Sequence, residues 1–181
     1  MAFKVKLARV EDSRALSELA TRTFAMACPK KTSAEDLRTY IQESLQPSHF
    51  KSFLNEETKQ IFLLYSNETL IGYSMIDTKP QPLGIEEADR DILELTRCYV
   101  VSEYHGKGAA QHLLSTTLES ITGRVRLTVS KENKRAISFY KRNGFEPSGE
   151  TTFRCGKDLQ RDLIMTCYLP SHSVLTAQDP S

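Results

Sequence analysis

The sequence predicts a mixed α/β fold, with a mostly antiparallel central sheet that contains one parallel pair of strands. Three observations predict it. Two apolar runs meet at a short polar turn around Asn67, which makes an antiparallel hairpin. Two further strand-like runs meet at a turn around Gly156-Lys157-Asp158 and make another. Between them, a strand passes through two glycines into a helical repeat and then into a second strand, "RVRLTV". Such a strand–helix–strand unit implies a right-handed crossover and a parallel pair.

The elements follow in order. "FKVKLARV" alternates Phe3, Val5 and Leu7 with polar neighbours, as a half-buried strand does. In "EDSRALSELATRTFAMA", Leu16, Leu19, Ala20, Thr23, Phe24 and Ala27 share one helical face, with Asp12 or Ser13 as cap and Pro29 as terminator. "TSAEDLRTYIQESL" opens with Ser33 and Asp36 three apart, a variant of the capping box, and carries Leu37, Tyr40, Ile41 and Leu45 at helical spacing. Pro47 breaks this helix, and "SHFKSFLN" forms a short one. After the first hairpin comes a Pro/Gly loop ending in the acidic cluster Glu86, Glu87, Asp89 and Asp91. In "DILELTRCYVV", strict alternation sets Leu93, Leu95, Arg97, Tyr99 and Val101 on one face, and Glu94, Thr96, Cys98 and Val100 on the other. Beyond the glycines, Ala110, Leu113, Leu114, Thr117, Leu118 and Ile121 form an amphipathic stripe stopped by Gly123. "NKRAISFYKRNG" is a helix capped by Asn133 and stopped by Gly144. Residues 1–169 read as one domain, and 170–181 as a polar, disordered tail.

Composition excludes several function classes. The net charge of +1 carries no nucleic-acid footprint, and no run of 18 uncharged apolar residues suggests a membrane span. The four cysteines are widely spaced and form no C-x-x-C, as expected of reduced thiols in a cytoplasmic protein. No histidine has metal-ligand spacing, so no metal is expected. Charge is unevenly spread, however. Residues 1–104 carry 13 Lys/Arg and 16 Asp/Glu, whereas 105–161 carry 11 and 5. A basic half that begins at a glycine-rich strand–helix junction favours an anionic ligand there.

That junction, "YVVSEYHGKGAAQHLL", lacks the Gly-Lys-Ser/Thr of a P-loop and the third glycine of a dinucleotide fold. It resembles the acetyl-coenzyme A loop of the GNAT N-acetyltransferases, [QR]-x-x-G-x-[GA], through His105, Gly106, Lys107, Gly108, Ala109 and Ala110. "NKRAISFYKRNGFE" is similar to the second signature of that family, with Asn133, Ala136, Phe139, Tyr140, Gly144 and Phe145 all matching. Within the family the chain looks most like the PaiA-type spermidine/spermine N-acetyltransferases, through "LELTRCYVVSEYHGKG", "TFAMACPKKTSAEDLRTYI" and "GKDLQRDLIMTCYL". The resemblance covers about residues 3–169. His105 departs from it, standing where Gln or Arg is usual.

The resemblance implies a GNAT fold with a parallel fourth and fifth strand and helices on both faces. It also implies acetyl-CoA as cosubstrate and direct acetyl transfer to a small-molecule primary amine, a polyamine being the first candidate. A protein lysine or N-terminus is the alternative acceptor, and a CoA-binding module without turnover the alternative role. Monomer and homodimer are both compatible. By the same resemblance, amides from Gly106 through Gln111 cradle the pyrophosphate, the strand end Tyr99–Val101 pairs with the pantetheine arm, and Asn133 and Tyr140 complete the cofactor site. Amides near Val100 and Val101 then face the thioester oxygen. Tyr140 matches the tyrosine that protonates the leaving thiolate. Its phenol, with an ordinary pKa of about 10, keeps its proton at neutral pH. An alkylammonium must lose a proton before it attacks, and Glu94 occupies the strand position of the family's general base. An acyl-enzyme on Cys98 is the rival route.

Overall fold

A computed structural model describes residues 2–83 and 91–171. The acidic residues Glu86, Glu87 and Asp89, and the tail from His172, lie outside them. The chain forms β1 (Phe3–Leu7), α1 (Ser13–Ala27), α2 (Ala34–Ser44), α3 (Pro47–Asn55), β2 (Lys59–Ser66), β3 (Thr69–Asp77), β4 (Leu93–Val100), α4 (Ala109–Glu119), β5 (Gly123–Ser130), α5 (Lys134–Arg142), β6 (Glu146–Cys155) and β7 (Asp158–Leu169). One seven-stranded sheet runs β1-β2-β3-β4-β5-β7-β6. Among the described residues, only β4 and β5 pair in parallel, and every other pair is antiparallel.

Local sequence accounts for most boundaries. The Ser33 hydroxyl accepts the Asp36 amide at 3.0 Å and starts α2. Asn133 does the same for α5, accepting the Ala136 amide at 3.1 Å. Asn67 turns the β2–β3 hairpin at φ 54°. Asp12 stands at the N-cap position of α1 but makes no side-chain cap bond there; its carboxylate takes the Arg9 amide at 2.7 Å and closes a short 3-10 turn before α1. Nor does Gly123 end α4, which stops at Glu119; at φ +99° it opens β5 instead. In β2, Ile61–Leu64 are all buried, because helices cover the sheet on both faces. The Thr117 hydroxyl of α4 and the Ser74 hydroxyl of β3 share a buried hydrogen bond of 2.6 Å, which fixes α4 against one face. Phe50 of α3 meets Tyr73 of β3 edge-on at 6.0 Å on the other.

Candidate active site

The sheet is divided in its middle. β4 and β5 pair only at Leu93–Val125 and Glu94–Arg126, yet continue to Val100 and Ser130. Beyond those two pairs the strands part. A cavity of about 630 Å³ opens between them, lined by Thr96 to Val100 on one side and Thr128 to Ser130 on the other. Glu94 sits at the narrow end and does not line the cavity. Its Oε2 accepts from Arg126 Nε at 2.7 Å and Nη2 at 2.6 Å. Arg126, only 1% exposed, also donates to the Gln81 carbonyl.

A β-bulge decides which side chains face which helices. Leu95 pairs with Ile76 and Arg97 with Met75, so Thr96 is an extra residue in β4. Cys98 pairs with Ser74 and therefore points towards α4, as does Leu95. Glu94, Arg97 and Tyr99 point the other way. Strict alternation had placed Glu94 with Cys98 and Leu95 with Arg97. The inserted residue reverses both pairings.

The end of β4 offers main-chain groups to the cavity. Val101 N–H donates to Ile71 O of β3 at 2.9 Å. Hydrogen-bonded pairs alternate along an antiparallel ladder, so the amides of Cys98 and Val100 turn to the opposite edge, where β5 has moved away. Of the two amides expected to face the thioester oxygen, Val101 is thus committed to β3. The Val100 carbonyl is held by His105 Nε2 at 2.8 Å, and His105 Nδ1 lies 2.7 Å from Arg135 Nη1. A guanidinium only donates, so Nδ1 accepts and Nε2 carries the proton given to Val100. His105 thereby ties the strand end to α5, which gives its departure from Gln or Arg a structural role.

Gly106 and Gly108 have φ of +74° and +82°, and a Cβ on either would meet nothing within 4 Å. The backbone here borders open space, and only glycine leaves it clear. Gly108 caps α4 without a side chain, and the first helical bond is His112 N–H to Gly108 O. The amides of Ala109, Ala110 and Gln111 are therefore the unpaired first turn of the helix, at its positive end. The Lys107 amide is not available, because it donates to Tyr104 O at 3.3 Å and its ammonium lies 5.6 Å from the centre of the Tyr104 ring. Arg135 and Arg142 line the cavity from α5. Gln111 and Asn143 exchange side-chain hydrogen bonds of 2.6 and 3.1 Å, holding α4 to the end of α5.

Tyr140 reaches the cavity from α5, packed against Phe139 and Phe145. Its hydroxyl has no hydrogen-bond partner among the described residues. Burial, with Cys98 and Tyr99 adding to it, pushes its pKa well up. Burial likewise raises the Cys98 thiol to about 12, which leaves it a packing residue rather than a nucleophile. On the opposite face, Phe24 and Tyr40 stack at 4.2 Å and Phe153 abuts Tyr40 at 5.3 Å. Arg97 lies over Phe50 and Phe53 at 5.5 and 5.7 Å. Gln160 and Asp162 of β7 close this side. The β6–β7 turn is clamped to α2 by Lys157 N–H to Asp36 Oδ1 at 2.6 Å, and a Cβ on Gly156 would stand 2.4 Å from that oxygen. Among the lining residues, Arg97, Arg135, Arg142 and Asp162 had not been singled out from sequence as site residues. The basic composition of 105–161 was the available signal for the two arginines of α5.

The profile of the Acetyltransferase (GNAT) family matches residues 17–145. Over 158 residues, 85% of the chain, the sequence is 32% identical to an uncharacterized N-acetyltransferase of Mycobacterium tuberculosis and covers 96% of it. It is 27% identical over 105 residues to the spermine/spermidine N(1)-acetyltransferase of Bacillus subtilis, spanning 55% of this chain and 68% of that one. Among solved structures, the PaiA N-acetyltransferase of Thermoplasma acidophilum, determined in complex with coenzyme A, superposes with a TM-score of 0.72 at 21% identity, covering 93% of this chain and 99% of its own. The chain belongs to the GNAT acetyltransferase family and is an acetyl-CoA-dependent N-acetyltransferase.

Proposed function

We propose that the enzyme transfers the acetyl group of acetyl-CoA directly to a primary amine, with polyamines as the first acceptors to test. One observation carries the reading. The parted strands have an anion cradle at their mouth and a protonated tyrosine inside. The amides of Gly106, Gly108, Ala109, Ala110 and Gln111, with Arg135 and Arg142, suit a pyrophosphate. Asn133 lines the same cavity while capping α5. The edge amides of Cys98 and Val100 suit the amide-bearing pantetheine arm. Acetyl-CoA supplies the activated thioester; the protein supplies orientation, amides for the developing oxyanion and a proton. Tyr140 Oη–H donates that proton to the departing sulfur. Glu94, tied to Arg126, holds the narrow end of the cleft.

The polyamine reading is supported by the Bacillus and Thermoplasma relatives. A second reading rests on Arg97, a guanidinium beside the cavity with no carboxylate partner among the described residues. It favours an acceptor that carries an anionic group as well as an amine. Four unbridged cysteines suit action in the cytoplasm. Thiol release from acetyl-CoA, measured with spermidine, an amino acid, its amide and a lysine peptide, decides among these acceptors. CoA binding without amine-dependent release by any of them would defeat the transferase proposal.

A further inference from the structure

We infer that Asp162, on β7, receives the ammonium group of the acceptor and takes its proton, so that the general base lies across the cavity from the position the sequence suggests. The inference rests on the acetyl-transfer reading. Asp162 lines the cavity, is 7% exposed, and leaves Oδ1 without a hydrogen-bond partner. A buried carboxylate with an idle oxygen is costly unless a cation meets it, and nothing described in the protein meets this one. Lys131 and Arg161, its basic neighbours in register and in sequence, both pair with Glu150, and no ion pair joins it to Arg97, which lines the same cavity. The strands on either side contribute neutral residues at its register, Ser130 of β5 and Thr151 of β6. From the end of α1 comes Cys28, whose thiol is pushed up to about 12 by burial, with Cys155, Asp158 and Asp162 adding to it. On its own strand, Asp158 is bound by Thr32 and Gln160. The cation that the site lacks is the one an amine substrate brings.

Burial raises the Asp162 carboxyl to about 6, so it is ionised at neutral pH yet basic enough to accept a proton. The proton balance closes. An N–H bond of the ammonium breaks, an O–H bond forms on Asp162, and the freed lone pair attacks the acetyl carbon. The C–S bond breaks as Tyr140 protonates the sulfur. The nitrogen gives up a second proton as the amide forms. Over one turnover two protons leave the nitrogen; one ends on the thiol, one in water, and Asp162 and Tyr140 return to their starting states.

The test uses the full chain and its Asp162→Asn, Asp162→Glu and Glu94→Gln variants. Binding of n-butylamine, phenethylamine and spermidine to the CoA-loaded protein is measured by titration calorimetry, and turnover by thiol release across pH. Asp162→Asn should weaken the amine binding seen with the parent at least tenfold and leave CoA affinity unchanged. It should lower kcat/KM about a hundredfold or more and abolish the acidic limb near pH 6. Asp162→Glu should restore part of both, and Glu94→Gln should keep the limb. Equal amine binding by parent and Asp162→Asn, a limb that persists in that variant, or no binding of any of the three amines to the parent would overturn the assignment. Amine binding that depends on Asp162 without any thiol release would instead strike at the transferase reading.

Discussion

Replacing Asp162 by Asn should shift the stability of the fold by an amount that depends on pH, in the variant's favour as pH rises. The carboxyl titrates at about 6 in the folded protein against an ordinary value of 3.8, and burial is the cause. A carboxyl harder to ionise folded than unfolded weakens the fold wherever its unfolded form is ionised. The penalty is therefore absent below about pH 4, grows as pH rises through about 6, and is complete above it. A displacement of that size corresponds to about 3 kcal/mol at neutral pH, which for a chain of this length is about 6–12 °C in Tm. Asn carries a pH-independent cost of its own, an amide in the same dry place. The diagnostic quantity is thus the change in the Tm difference between parent and variant from acid to neutral pH, measured by scanning calorimetry without ligand. The Asn variant should gain on the parent as pH rises. Parallel Tm curves would refute the picture of an unpaired buried carboxylate.

Other expectations follow from the same geometry. Tyr140→Phe should lower kcat ten- to a hundredfold with CoA affinity unchanged, since only the proton donor is removed; stopped-flow thiol release with CoA titration checks both. Glu94→Gln leaves Arg126 buried beside a neutral partner, and should cost about 3 kcal/mol in chemical denaturation while the pH dependence of turnover holds its shape. Gly108→Ala puts a methyl group into the open cradle at φ +82°; CoA affinity should fall at least tenfold, with a stability loss of about 1 kcal/mol. Gly72→Ala would bring a Cβ within 2.7 Å of the Tyr99 carbonyl and 2.9 Å of Val100 Cγ2. Displacing the end of β4 should cost about 1–3 kcal/mol and raise KM for acetyl-CoA.

The parts of the site that local chemistry builds were legible in the residues. The glycines at positive φ, the Asn133 cap and the apolar stripe of α4 are short-range signals; they marked the strand–helix junction, and the resemblance to the two family signatures is what pointed to Tyr140 and to an anion there. Properties of pairing between distant strands were not. The bulge at Thr96 adds one residue to β4, and in "LELTRC" nothing marks where the alternation slips. The parting of β4 from β5 likewise leaves no trace in either strand alone. Asp162 was hidden for a different reason. In "DLQRDL" the apolar Leu159 is 55% exposed while Gln160 is 5% exposed. The strand there turns its polar face inward, towards a cavity rather than a core. The face of an amphipathic strand that turns inward depends on what lies opposite, and in β7 that is the cavity between the parted strands.

A strand edge with unpaired amides is ordinarily a hazard, since it templates pairing with any other chain and leads to self-association. Here such an edge exists in the middle of the sheet, along Cys98 to Val100, with α1 and α2 on one side, α4 and α5 on the other, and β5 and β7 as the far wall. Another protein's strand, with side chains on both faces and neighbours of its own, does not fit between these walls. On the proposed reading, a slender, flexible arm does. On that reading the protein recognises its ligand through its main chain while keeping that edge away from neighbouring molecules.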